Sequence, residues 1–214
     1  MIYLDLVQGS PEWLRARLGI PTASNFHRLL TPKTMKPSAA ADQYADELLA
    51  EWLIGENLDA AISQFMERGA VLEQDAVHFY EALRDTDTTE CGFCLTDDRR
   101  CGASPDRFIG DDGLLELKCP APATHVGYIR ALREPKPTKY YTQTQGQLYV
   151  SGRQWVDFMS YHPSIRPVVV RYERDEPFIA SLHDVLGEFC DRLAVERLAF
   201  IAAGYEPLIR QEAA

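Results

Sequence analysis

One short segment constrains this chain more than any other: Ser104-Pro105-Asp106-Arg107-Phe108-Ile109-Gly110-Asp111-Asp112-Gly113-Leu114-Leu115-Glu116-Leu117-Lys118. Asp112-Gly113 is a hairpin signal, because these residues tolerate the left-handed backbone of a tight reversal, and the flanking residues have strand composition. Side chains alternate along a strand, so Leu114, Glu116 and Lys118 share one face while Leu115 and Leu117 share the other. A carboxylate and an ammonium group therefore stand side by side. The turn decides where Asp106 goes. A three-residue loop, Asp111 to Gly113, pairs 110 with 114, 108 with 116 and 106 with 118, which brings Asp106 to the Glu116 face, diagonal to it. A two-residue loop points it away.

Two carboxylates and a lysine at one end of a hairpin suit Mg²⁺, a hard cation that takes one or two carboxylates and keeps waters for a substrate phosphate to replace. The lysine would then hold or deprotonate an attacking water. Taken alone, Asp plus Glu-x-Lys is more often a surface hairpin with solvated charges. Leu115 and Leu117 argue for one buried face, and Cys119-Pro120 ends the strand abruptly, as at the rim of a site.

Three further patterns carry chemistry. Met66, Gly69, Ala70, Glu73, Val77 and Tyr80 recur at spacings of three and four, so Glu73 interrupts an otherwise apolar helical stripe and needs a partner. Tyr140, Gln143 and Gln147 form a polar stripe on a later helix, with Tyr141, Gln145 and Leu148 turned away. A glutamine donates and accepts at once, and so can orient both phosphate and water, although an ordinary polar helix face has the same pattern. Arg17 and Ser24, on either side of the turn Leu18-Gly19-Ile20-Pro21, could form an anion pocket from a guanidinium fork and hydroxyl donors, or could be a plain helix-end arginine and a serine.

The spacing of Asp106, Glu116 and Lys118 resembles the PD-(D/E)xK nuclease signature. Ser104-Pro105-Asp106 followed by Leu115-Glu116-Leu117-Lys118-Cys119-Pro120 is similar to the phage lambda exonuclease and YqaJ-type recombinase family. Other family landmarks follow in order: Trp13, Arg17-Leu18-Gly19, Thr22-Ala23-Ser24, Gly69, Leu72-Glu73-Gln74-Asp75-Ala76 and Gln143-Thr144-Gln145, so the match spans residues 8 to 175. The resemblance implies an α/β (α+β) fold with a restriction-endonuclease-like core, a mixed central sheet flanked by helices. It implies that Asp106, Glu116 and the Leu117 carbonyl hold Mg²⁺, with Mn²⁺ able to substitute, while Glu73 holds a second ion or a bound water. Lys118 would activate and position the nucleophile and Gln143 orient it. Gln145 also fits, in the Gln-x-x-x-Tyr pattern of RecB-type nucleases; Gln143 is favoured because Tyr140 then matches as well.

By the same resemblance, Arg17, Ser24 and Ser104 receive a terminal 5′ phosphate, Tyr140 contacts DNA, and Met66 wedges between terminal base pairs. The implied activity is that of an alkaline-type 5′-to-3′ exonuclease that digests one strand of duplex DNA from phosphorylated ends, leaving 3′ single-stranded tails for recombination. The implied assembly is a homotrimeric ring that works with a single-strand annealing protein in the cytoplasm of a bacterial or phage-infected cell. A structure-specific or site-specific endonuclease on the same core is the rival enzyme, and a catalytically silent subunit that binds DNA ends is the rival from another class.

At 214 residues the chain suits one domain. Residues 1–85 are mainly helical, 86–175 form the catalytic sheet core, and 176–214 hold a C-terminal helix. Short helices are expected at 11–17 and 22–30, capped by Ser10 and Thr22, then at 39–54 and 58–84, with a Pro/Lys loop at 31–38. Strands are expected between 88 and 118, including one from Thr88 to Leu95 in which Cys91 and Cys94 face opposite ways. Helices at 123–133 and 138–150, strands at 155–161 and 168–172, and a last helix at 177–203 complete the order. No apolar run is long enough for a membrane helix and the N-terminus does not read as a signal peptide. The five cysteines do not form a disulfide pattern, and a metal site at Cys91, Cys94, Cys101 and Cys119 is a remote alternative. The 22 basic and 32 acidic residues leave a formal charge of −10, which disfavours DNA binding through the outer surface and requires any phosphate contacts to be local.

Overall fold

In the computed structural model, which describes residues 1–31, 36–58, 63–131 and 138–208, the chain opens with strand β1 (Ile2–Leu4) and helix α1 (Pro11–Ala16). Ser10 caps α1 by accepting from the Trp13 amide, and Pro11 occupies the first turn, where its missing N–H is not needed. The next segment is a 3-10 helix, η1 (Ala23–Arg28), shorter than the expected helix from 22 to 30. Thr22 does not cap it: a bridge to Gly102 holds Thr22 extended, and its hydroxyl meets that of Ser24 at 3.2 Å. A small hairpin, β2 (Leu30–Thr31) with β3 (Lys36–Pro37), flanks residues 32–35 of the Pro/Lys loop, which lie outside the described residues. Helix α2 (Ala41–Ile54) ends where Gly55 takes a φ of 71°, and α3 (Ser63–Arg84) follows.

The strands come next: β4 (Thr89–Glu90), β5 (Phe93–Leu95), β6 (Gly102–Ala103), β7 (Arg107–Ile109) and β8 (Gly113–Lys118). Helices α4 (Pro122–Ala131) and α5 (Thr138–Ser151) lead to β9 (Trp155–His162), β10 (Ile165–Glu173) and the long α6 (Glu176–Ala202). Five strands form one sheet in the order β10-β9-β8-β7-β4, antiparallel except where β8 runs parallel to β9, so the sheet is mixed, as expected. A parallel neighbour requires a long crossover, and α4 and α5 supply it. A second sheet, β1-β5-β6, lies apart.

The expected strand from Thr88 to Leu95 is split between the two sheets at Cys91-Gly92. A Cβ on Gly92 would stand 2.3 Å from the Leu4 carbonyl oxygen, so the chain crosses here against the backbone that follows β1. The break also overturns the expected alternation. Cys91 and Cys94 do not face opposite ways; their sulfurs lie 3.8 Å apart.

The β7–β8 hairpin forms with a three-residue loop one position earlier than expected. Ile109 pairs with Gly113, leaving Gly110 to Asp112 in the turn, with Gly110 at φ 50°. Gly113 belongs to the strand because the Trp155 ring occupies the place of a side chain: a Cβ there would be 2.3 Å from it. Continuing this register sets Asp106 opposite Glu116 rather than diagonal to it. The shift changes each pairing sum by two, so the face of every side chain is preserved.

Both faces of β8 are covered. Leu115 and Leu117 pack with Ala76, Val77 and Tyr80 of α3 and with Met159, while Leu114 packs in the larger core with Leu148 of α5, Val156 and Phe158. Each buried leucine contributes about 1.5–3 kcal/mol, so the strand that carries Glu116 is held from two sides. Helix α5 sits unusually close to η1, since a Cβ on Gly146 would meet the Phe26 ring at 2.5 Å.

Asp157, fully buried on β9, ties α3 to the sheet. It accepts from the Tyr80 hydroxyl at 2.7 Å and from the Arg171 Nε and Nη2 at 2.7 and 2.9 Å, with Arg84 at 3.5 Å. A buried charge requires such partners. Tyr80→Phe is expected to lower stability by about 2 kcal/mol, the size of a hydrogen bond to a charged group, as measured by urea unfolding. An unchanged midpoint would show that Tyr80 does not anchor α3 through Asp157.

Candidate active site

Glu116 projects from the central strand toward α5 and is 1% exposed. Its Oε1 accepts from the Lys118 ammonium and from Gln143 Nε2 at 2.6 Å, and its Oε2 accepts from Gln147 Nε2 at 2.6 Å. Lys118 reaches Glu116 because the two are two residues apart on one strand face, and it keeps 29% of its side chain exposed. Gln143 and Gln147 reach it because residues four apart lie on one side of a helix. Gln145 points elsewhere: it donates to the Glu173 carbonyl at 2.8 Å and accepts from the Asp175 amide at 2.9 Å. The geometry therefore sets Gln143, and not Gln145, against the acidic centre.

Asp106 leaves β7 next to Glu116 and accepts from the Leu117 amide at 2.5 Å. In an extended strand, the amide and carbonyl of one residue point to the same side, so the Leu117 carbonyl is turned toward Asp106 as well. Glu73 approaches from α3. Burial and then the charge of Glu116 push the Glu73 carboxyl above its usual range. The same two causes, joined by Glu73, raise Asp106 well above its own. Burial works to lower Lys118, but the charges of Glu116 and Asp106 outweigh it, and the ammonium holds its proton more tightly than usual.

Convergent carboxylates that repel one another, with a strand carbonyl beside them, make a hard oxygen donor set of the kind Mg²⁺ or Mn²⁺ takes, so the residues fit a divalent cation. Among the described residues no three carboxylate, imidazole or thiolate side chains form a ready-made cage. The remote Cys91, Cys94, Cys101 and Cys119 site does not assemble there either.

Tyr140 stands beside this centre, with Lys118 Nζ 6.0 Å from its ring centroid. Its hydroxyl bonds that of Tyr128 on α4, and both rings lean on Phe158. Tyr128 was not legible as a site neighbour, since nothing in α4 signals a partner across residues 132–137. Gln147 was legible on the Tyr140–Gln143 stripe, but its contact with Glu116 was not.

A second cluster lies where α1 meets the chain around Ser104. The Arg17 guanidinium stacks on the Trp13 ring at 4.0 Å, and Trp13 Nε1 donates to Ser104 Oγ at 2.9 Å. The Thr22–Gly102 bridge brings the exposed Ser24 to the same neighbourhood. Arg17 and Ser104 thus meet through Trp13, and Ser24 is tied to Thr22 by its hydroxyl. The side chain of Met66 lies outside the described residues.

Residues 12–154 match the YqaJ-like viral recombinase domain, and the chain belongs to this family. Its fold is similar to that of an alkaline exonuclease, LHK-Exo, from Laribacter hongkongensis, with 35% identity and a TM-score of 0.77 over 91% of this chain and 99% of that one. LHK-Exo in complex with dAMP gives 34% identity and 0.78, over 91% and 98%. A phage-related exonuclease from Haemophilus somnus 129PT shares the fold at 14% identity and 0.66, over 83% and 96%. No curated protein sequence matches the chain.

A carboxyl whose folded-state pKa is raised opposes folding increasingly as pH rises from its unfolded-state pKa through the folded one, and the penalty disappears as pH falls and the group is protonated in both states. Asp106→Asn keeps an acceptor for the Leu117 amide and removes the charge. In EDTA at pH 8 it is expected to melt at a higher temperature than the unaltered chain, with the gain shrinking toward about pH 4. A gain independent of pH would remove the electrostatic account.

Proposed function

We propose that this chain is a Mg²⁺-dependent, alkaline-type 5′-to-3′ exonuclease that digests one strand of duplex DNA from 5′-phosphorylated ends and leaves 3′ single-stranded tails for recombination. At the coarser level, family membership and the likeness to LHK-Exo make the chain a DNA exonuclease. The observation that carries the finer reading is the convergence on Glu116 of Lys118 and Gln143, with Asp106 opposite; the Arg17–Trp13–Ser104 cluster joins the segment that carries Asp106 through Ser104, two residues before it.

Asp106, Glu116 and the Leu117 carbonyl would hold Mg²⁺, or Mn²⁺ in its place, with Glu73 holding a second ion or a water. The cation supplies Lewis-acid stabilisation of the charge that gathers on the entering and leaving oxygens. Lys118, kept charged by its neighbours, donates to the attacking water and to the phosphate. Gln143 orients that water, because its amide can donate and accept at once. Tyr140 contacts the DNA backbone beside Lys118. Arg17, Ser24 and Ser104 receive the terminal phosphate, and stacking on Trp13 fixes the guanidinium plane before the ligand arrives. Met66 serves as the wedge between terminal base pairs.

The test uses linear duplex with 5′-phosphate or 5′-hydroxyl ends and closed circular duplex, each with Mg²⁺ or EDTA. Mononucleotides from phosphorylated linear DNA in Mg²⁺ alone are expected, and Lys118→Ala is expected to abolish them. Cleavage of circles would favour a structure- or site-specific endonuclease; binding without cleavage would favour a silent end-binding subunit. Arg17→Ala is expected to reduce the preference for 5′ phosphate by roughly 10- to 100-fold, the scale of a lost charge-assisted hydrogen bond. Equal discrimination by the variant would remove the anion pocket while sparing the nuclease.

A chain with a net charge of −10 holds DNA best by enclosing it. A homotrimeric ring would gather lysines and arginines around one channel and engage a single-strand annealing protein while the product strand emerges. Light scattering is expected to give three times the chain mass, and digestion is expected to continue after unlabelled ends are added in excess. A monomer that stops at once would remove the ring.

A further inference from the structure

We propose that Gln147 is a positioning residue for Glu116: it fixes the carboxylate in the orientation that presents Oε2 to the divalent cation. This rests on the metal-dependent reading of the site.

The acidic centre gives Gln147 a place different from that of Gln143. Gln143 is half-buried and able to reach a substrate, whereas Gln147 is 1% exposed and, among the described residues, donates to Glu116. The last torsion of a glutamate side chain is broad and roughly twofold, so one anchored oxygen leaves the carboxylate plane poorly defined. Lys118 and Gln143 both bond Oε1, and among the described residues Gln147 alone bonds Oε2, at 2.6 Å. A carboxylate oxygen has about two lone-pair directions. Oε1 has both in use, while Oε2 keeps one to spare. Oε2 is therefore the oxygen available to a cation, and Gln147 determines where it points.

The other end of the Gln147 amide supports this assignment. Its Oε1 is buried and has no hydrogen-bond partner among the described residues. Turning the amide over would satisfy nothing, because its carbonyl would then face a carboxylate oxygen. An apolar side chain in this position would spare the fold that unsatisfied acceptor, but would leave Glu116 Oε2 without its donor. Folding asks here only for a donor to the buried Oε2, whereas orientation of a cation ligand by a neighbour also asks that the donor fix where that oxygen points.

The test compares Gln147→Met and Gln147→Leu, which remove the donor at similar volume, with Thr144→Val, which alters another buried polar residue of α5, one whose hydroxyl donates to the Tyr141 carbonyl. Mn²⁺ binding is measured by calorimetry without DNA, thermal stability in EDTA, and cleavage as a function of Mn²⁺ concentration. Both Gln147 variants are expected to bind Mn²⁺ about 10- to 100-fold more weakly. Both should still fold in EDTA, with a melting temperature lowered by the donor that Glu116 loses, and Thr144→Val should bind Mn²⁺ as the unaltered chain does. Raising Mn²⁺ should restore much of their cleavage rate. Unchanged Mn²⁺ affinity in a chain that still binds the ion and cuts DNA overturns the role of Gln147 alone. Failure of both variants to fold in EDTA makes it a structural residue and also overturns the proposal. If the unaltered chain neither binds Mn²⁺ nor cleaves DNA, the metal-dependent reading fails first and this inference fails with it.

Discussion

A carboxylate in the central strand of a sheet has to be hydrogen-bonded, and the placement of Glu116 imposes that requirement on everything around it. Its donors come from its own strand and from α5, so α5 must lie across β8 with its glutamine face inward. That position demands a close approach to η1, which Gly146 permits, and a crossover from β8 to a parallel β9. The opposite face of β8 is sealed by α3, the helix that carries Glu73 and is itself held by the Tyr80–Asp157 bond. The acidic centre is thus clamped between two helices that rest on the same strand.

The same arrangement explains why the carboxylates repel one another. Burial and mutual charge raise Asp106 and Glu73, and Lys118 offsets only part of this. Charge left unneutralised by protein side chains is a common feature of sites that work with cations, and it is held in place here by unrelated apolar packing. Stability comes from Leu115, Leu117 and their neighbours, and the repelling carboxylates contribute little to it.

Period-two alternation and a turn dipeptide made the hairpin and its faces legible, and these survived a one-residue displacement of the loop because the displacement moved both strands together. Helix α5 was legible down to the stripe of Tyr140, Gln143 and Gln147, because helical spacing is a local property. What escaped was set by tertiary contact. Gly92 marks a crossing between two sheets only because Leu4 passes beside it, and Thr22 is denied its cap by a bridge to a residue 80 positions away. Cys91 and Cys94 come together for the same reason: the period of a strand has no meaning across the point where the strand is broken.

Helix α5 has two working faces. One offers Gln143 and Gln147 to Glu116, and the other uses Gln145 and Tyr141 to grip the junction of β10 and α6 at Asp175. Each residue of an α-helix turns the chain by about 100°. A single insertion or deletion between Tyr141 and Gln147 would therefore rotate one face out of register with the other, disconnecting either the acidic centre or the C-terminal helix. Relatives of this chain are expected to vary in length in the segments around α5, between α4 and α5 or at the turn before β9, while the spacing within the helix stays constant.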